Sequence, residues 1–156
     1  CEMCIRDRDT EFHFVGGWPN DVERWQARVS TIKAENVFFH GLQPHNRVPL
    51  YLWHADAVVL GLVASNPIST WCSPVKVGEY FASGAPTVLS DVPALRRWVT
   101  DEEAVFFKSE DPVSLAEKLQ MVLHDPVRRQ SLSARGLDKA RQWSYVNRAG
   151  KISDWM

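Results

Sequence analysis

The sequence predicts an α/β domain, a parallel sheet with helices on both faces. Three observations point there. Short Val-, Phe- and Leu-rich runs alternate with helical segments along the whole chain. Several of those runs lack polar–apolar alternation, as strands covered on both faces do. A capping residue followed by proline recurs ahead of the helical segments, at Ser73-Pro74, Asp111-Pro112 and Asp125-Pro126.

In order, strands are expected at 11–15, 37–40, 57–60, 87–90 and 104–107, each bounded by Gly, Pro, Asp or Asn. The first full helix is expected over 21–34. Asn46 is placed to cap the next, with Pro49 tolerated in its first turn. Ser73-Pro74 opens a third, which Gly84 closes and Pro86 prevents from continuing. Behind Asp111, the residues Leu115, Ala116, Leu119, Val122 and Leu123 form an apolar stripe at helical spacing. Leu132, Leu137 and Ala140 do the same behind Asp125. Trp25, Trp53 and Trp98 fall on these helices and read as core or domain-surface anchors. Residues 1–8 resemble the end of a helix, so the domain is expected to be N-terminally truncated and to lack its first strand.

Length and composition narrow the function. The 156 residues suffice for one domain with one hydrophobic core. A net charge of −1 offers no footprint for a nucleic acid or for a strongly basic membrane surface. No apolar run approaches the ~20 residues of a membrane span, and no signal peptide is visible. Cys1 and Cys4 form a C-x-x-C pair with no second Cys/His pair to complete a zinc site; two helix residues one turn apart is the simpler reading. With Cys72 they make three cysteines, no disulfide framework, and a fit to the reducing cytoplasm. There is no G-x-G-x-x-G, no P-loop and no G-x-S-x-G elbow. The five histidines show no metal-ligand spacing, so no metal is expected.

Ligands of open α/β sheets bind outside the carboxyl ends of the strands. Here those ends are 16–20, 41–45, 61–72, 91–92 and 108–111. Segment 61–72 is the longest and runs directly into the Ser73-Pro74 helix start. Free N–H groups and the positive dipole end favour an anion at that start. Lys76 adds a charge in the first turn, and Glu79 projects back toward it from one turn further on. A diphosphate against the N–H groups and ribose hydroxyls against the carboxylate would use that pairing. The alternative stays open: Lys76, Glu79 and Ser83 share a face opposite Val77, Tyr80, Phe81 and Gly84, and such a stripe commonly faces water with Lys76 and Glu79 as an i,i+3 ion pair. Trp71, two residues before the cap, either stacks on a sugar or base or pins the loop. His40 and His45 flank a carboxyl-end loop, as ligand contacts or as structural histidines.

The block from Ser73-Pro74-Val75-Lys76-Val77-Gly78-Glu79 through Gly84-Ala85-Pro86-Thr87 to Asp91-Val92-Pro93-Ala94-Leu95-Arg96 resembles the signature of group 1 (family 4) glycosyltransferases. Phe12-His13-Phe14-Val15-Gly16-Gly17 resembles the family's strand ending in a glycine loop. Asn36-Val37-Phe38-Phe39-His40-Gly41 resembles its V-x-F-x-G strand, Ala55-Asp56 its helix-to-strand step, and Trp143-Ser144 its late Trp-Ser.

The resemblance implies the Rossmann-like C-terminal half of a GT-B enzyme. It implies that Glu79 binds the ribose hydroxyls, that Ser73, Pro74, Val75 and Lys76 hold the diphosphate, and that backbone around His40, Gly41 and Leu42 meets the base, with Gly16 also at the donor. It implies a retaining, metal-independent, hexosyltransferase-like enzyme of glycan biosynthesis. No cofactor is involved beyond the UDP-, GDP- or ADP-sugar donor, and catalysis rests on stabilising the departing diphosphate. The family's second glutamate would stand eight positions before Glu79; Trp71 stands there, in a branch with a Ser-Pro-x-Lys start. The family's G-R…K diphosphate clamp is absent, as is the N-terminal acceptor-binding domain, the expected partner. No catalytic residue is therefore assignable, the isolated chain is expected to be inactive, and peripheral membrane association belongs to the full-length protein. Two other readings stand: a nucleotide-sugar epimerase of the same fold, and a non-catalytic phosphate- or nucleotide-binding α/β module.

Overall fold

The computed structural model describes residues 10–71 and 75–153. The readings placed on residues 1–8, on Cys1, Cys4 and Cys72, and on the Ser73-Pro74 cap lie outside the described residues. The chain divides into two compact units, Cys1–Tyr51 and Leu52–Met156.

In the first unit, β1 (Phe12–Val15) and β2 (Val37–Gly41) pair in parallel, with helix α1 (Pro19–Thr31) between them in sequence and packed on β2. The pairing runs from Phe12 opposite Val37 to Phe14 opposite Phe39, then slips so that Val15 faces Gly41. α1 begins two residues earlier than expected. Extended Trp18 precedes Pro19 at the helix start, where a missing N–H costs nothing. It ends at Thr31 rather than residue 34, and Lys33 turns into the left-handed region at φ 52°. Asn46 does not act as the expected cap. It lies inside a 3-10 turn (His45–Arg47) that leads straight into α2 (Val48–Trp53) without a side-chain cap.

The second unit carries β3 (Val58–Leu60), the short α3 (Ile68–Trp71), α4 (Val75–Ser83), β4 (Thr87–Asp91), α5 (Pro93–Arg96) and β5 (Val105–Lys108). It ends in α6 (Pro112–His124), α7 (Pro126–Gln142) and α8 (Tyr145–Ser153). The sheet is parallel, in the order β3–β4–β5. Central β4 is buried from Thr87 to Ser90, which is why its sequence does not alternate. Its two hydroxyls are satisfied: Thr87 donates to Ala85 O, and Ser90 accepts from the Leu62 amide.

The core gathers Val77 and Phe81 of α4 with Leu89, Val92, Leu95, Val99, Ala104 and Phe106. α4 packs on β3, β4 and α7, and α6 on β5. Gly136 sets the α4–α7 spacing, because a methyl group there would sit 3.1 Å from the Phe81 ring. Three of the helix signals read from the sequence are present. Gly84 ends α4 at φ 77°, Asp111 accepts from the Val113 and Ser114 amides, and Asp125 accepts from Arg128 N. The apolar stripe of α6 buries Ala116, Leu119 and Val122, and α7 buries Leu132.

The tryptophans differ from one expectation. Trp25, Trp53 and Trp98 are 47%, 62% and 52% exposed, so none is a core residue. Arg24 and Arg28 lie over the Trp25 ring, and Trp98 meets Trp143 edge-on at 6.3 Å. An indole tolerates such half-burial when its apolar body is covered by a neighbour. No helix among the described residues is long and apolar enough to cross a membrane.

Candidate functional site

In the second unit the carboxyl ends of β3, β4 and β5 deliver three segments to one edge: 61–71, Asp91-Val92, and 108–111. Residues 61–67 form neither helix nor strand and then turn into α3, so the long loop of the sequence reading is partly helical. Side chains of the other two strand ends hold it. The Ser90 hydroxyl accepts from Leu62 N at 2.8 Å. The Ser109 hydroxyl accepts from Ala64 N at 2.9 Å and donates to Leu62 O at 2.8 Å. The Glu110 carboxylate accepts from the Ser65 amide at 3.2 Å and from its hydroxyl at 3.1 Å.

α4 rises from this edge because it lies on the crossover from the carboxyl end of β3 to its parallel neighbour β4. Val77 and Phe81 are fully buried, which turns Lys76 and Glu79 outward. Their side chains remain 65% and 36% exposed, with Lys76 Nζ 3.9 Å from Glu79 Oε2. Tyr80, beside Glu79, donates to Val59 O at 3.4 Å. Burial, helped by the Glu79 charge, raises the Tyr80 hydroxyl above its ordinary pKa, so it stays a donor. Val75 is 65% exposed at the first described position of α4, and Trp71, the last residue of α3, is 80% exposed with the Arg97 guanidinium 5.8 Å from its ring. Ser73 and Pro74 fall outside the described residues.

At the β4 end, Asp91 binds Arg96 through both fork nitrogens, and Arg96 also reaches Asp101 at 3.0 Å. The Arg96 hydrogen bonds hold the Asp91 carboxyl below its usual range. Arg96 is thus committed to the α5 corner, and Lys76 is the cation on the outward face of α4.

In the first unit, the Gly16 amide donates to Gly41 O at 2.7 Å. Both glycines hold positive φ, 111° and 61°, conformations that an L side chain resists. Leu42 is 61% exposed. The His40 ring meets His13 Nδ1 at 2.9 Å, and the His40 carbonyl accepts from Gln43 Nε2 at 2.6 Å. The His40 side chain is thus engaged within its own unit, and His45 lies in the exposed 3-10 turn.

Sequence reasoning assigned no role to Ser90, Ser109, Glu110 or Arg96. A lone hydroxyl ending an apolar strand and a polar triplet after the next one were the available signals. Among the described residues no group of three or more His, Cys, Asp or Glu converges on a metal-sized site. A shallow cavity of about 330 Å3 lies at the opposite, amino end of the strands, lined by Trp53, Asp56, Gly84, Pro86 and Arg129. It is not where open α/β sheets take ligands.

The family profile described as "Glycosyl transferases group 1" matches residues 3–125. The chain belongs to the group 1 glycosyl transferases. No curated protein is significantly similar to it. Among solved structures, Alr3699/HepE of Anabaena, determined in complex with UDP, superposes with a TM-score of 0.80 over 94% of this chain and 40% of its own, at 16% identity. Sucrose-phosphate synthase of Thermosynechococcus elongatus gives 0.71 over 92% of this chain and 37% of its own, at 21% identity. The C-terminal domain of a group 1 glycosyl transferase (LpcC) of Francisella tularensis gives 0.61 over 88% of this chain and 89% of its own, at 14% identity. The chain therefore spans about two fifths of the first two, and nearly all of the third. The expected fold, an α/β domain of the C-terminal GT-B type, is the one these solved structures share.

Proposed function

We propose that this chain is the donor-binding part of a retaining, metal-independent glycosyltransferase that takes a nucleoside-diphosphate sugar. The observation that carries the reading is Glu79. It is an outward carboxylate on a helix whose other face is locked in the core, with Lys76 beside it. A carboxylate held that way accepts two vicinal hydroxyls, and a ribose supplies them. Lys76 and the approach to α4 face the diphosphate, whose charge grows as the sugar leaves. Holding that charge lowers the barrier without a proton transfer from this chain. The acceptor and any group that handles its proton belong to the proposed acceptor-binding domain, so the chain alone has no transferase activity.

UDP is the first nucleotide to test, because the Anabaena relative was solved with UDP and with UDP-glucose. Titration calorimetry of the chain with UDP, GDP and ADP is expected to show weak binding of one of them. Glu79→Ala should weaken it about 10-fold or more, the worth of hydrogen bonds to a charged group, and the 2′,3′-dideoxy nucleotide should bind both forms alike. Equal affinity of Glu79→Ala and the parent chain would refute the ribose role.

A further inference from the structure

We infer that Glu110 is a positioning residue for the donor diphosphate, acting through the loop at 61–67; the inference rests on the donor-binding reading above. That loop has no strand or helix of its own, and six of its seven residues are exposed. Apart from its own turn, in which Asn66 N donates to Val63 O at 3.0 Å, its shape comes from what grips it. Ser90 takes one amide, Ser109 takes another amide and a carbonyl, and Glu110 takes both the amide and the hydroxyl of Ser65. Of these three, Glu110 reaches furthest along the loop, toward α3 and the start of α4.

The backbone at Glu110 gives a second, independent indication. Its φ is 61°, a left-handed conformation that glycine, asparagine or aspartate adopts more readily than glutamate. Folding alone favours glycine there. A glutamate in that conformation gains only through its carboxylate, and the two bonds to Ser65 are what the carboxylate makes. The residue choice trades backbone ease for a fixed loop. A loop already set in its bound shape loses less freedom when a ligand arrives. On the donor-binding reading, the segment it fixes precedes α3 and α4 in sequence, the side given to the diphosphate rather than to the base.

The test uses Glu110→Gly and Glu110→Gln in the full chain, with whichever of UDP, GDP and ADP the parent chain binds best and with its phosphate-free nucleoside. Glu110→Gly is expected to bind the diphosphate about 10-fold more weakly, with an unchanged or higher melting temperature because the backbone strain is relieved. Nucleoside affinity should stay the same. Glu110→Gln, which keeps an acceptor for Ser65, should recover most of the loss. Undiminished diphosphate affinity in Glu110→Gly overturns the inference, and so does an equal loss for nucleoside and diphosphate. If the parent chain binds none of the three nucleotides, the donor-binding reading itself falls and takes this inference with it. That outcome is distinct from a parent chain that binds and a variant that binds equally well.

Discussion

Asp91 and Arg96 close the corner between β4 and α5 as a two-pronged pair, Nε to Oδ1 at 2.8 Å and Nη2 to Oδ2 at 2.9 Å. The same guanidinium lies 3.6 Å from the centre of the Phe106 ring. The pair ties the carboxyl end of the central strand to the helix that follows. It also removes from ligand duty the one arginine of the family-like block.

Arg96→Lys should expose the value of that geometry. A lysine keeps the charge but loses the fork and the flat face over Phe106. The pair is partly exposed, so the loss is expected to be about 1 kcal/mol. Asp91 is held below its ordinary pKa of 3.8 by Arg96, so its contribution is present above that pH and is lost as the pH falls through the lower folded value. Urea melts at pH 7 and pH 3 check this: the difference between parent and variant should shrink at the acid end.

Lys139 and Glu103 form a more sheltered pair at 3.0 Å, with side chains 22% and 14% exposed. Burial pushes the Glu103 carboxyl up, but hydrogen bonds from Thr100 and Lys139 outweigh it and bring its pKa below 4.5. Glu103→Gln should therefore cost about 1–3 kcal/mol at neutral pH. The gap should close as the pH falls through and below 4.5, which thermal melts across that range would follow.

Phe81→Ala removes the largest fully buried side chain of the second unit from between α4 and α7. The cost is expected at about 3–5 kcal/mol. Circular dichroism should show that unit melting far earlier; a loss under 1 kcal/mol would mean that Gly136 lets α7 collapse into the gap.

Gly84→Ala asks an L residue to hold φ 77° at the end of α4, with Leu137 already 3.5 Å from the added methyl. A destabilisation of about 1–2 kcal/mol is expected from the left-handed conformation. A stabilised variant would show that the corner can re-form around a different cap.

Lys76→Ala separates the two readings of the outward face of α4. As a plain surface ion pair with Glu79 it changes stability by only about 0.5 kcal/mol. As a diphosphate contact it weakens nucleotide binding several-fold, and the loss should fade as salt is raised. Calorimetry at low and high salt reads both.

Most of the architecture was legible in the residues. Five apolar runs became five strands, with ends shifted by one residue. Asp111, Asp125 and Gly84 punctuate the helices as read, because a cap is a local bond between a side chain and amides two or three residues away. Asn46 failed for the same reason in reverse: the 3-10 turn at His45–Arg47 left it no helix start to cap. The outward setting of Lys76 and Glu79 followed from helical spacing once Val77 and Phe81 were assigned to the core.

What the residues determined alone is the alternation of elements, their caps and the family, since each is written in short-range pattern and composition. Tertiary structure decided the rest. It divided the chain into two units, left Trp25, Trp53 and Trp98 half-exposed, and brought Ser109 and Glu110 onto a loop 45 positions away. Spacing along the chain carries no signal for a bond over such a separation. The parallel pairing of β3, β4 and β5 sets three distant strand ends side by side, and only there do their side chains meet.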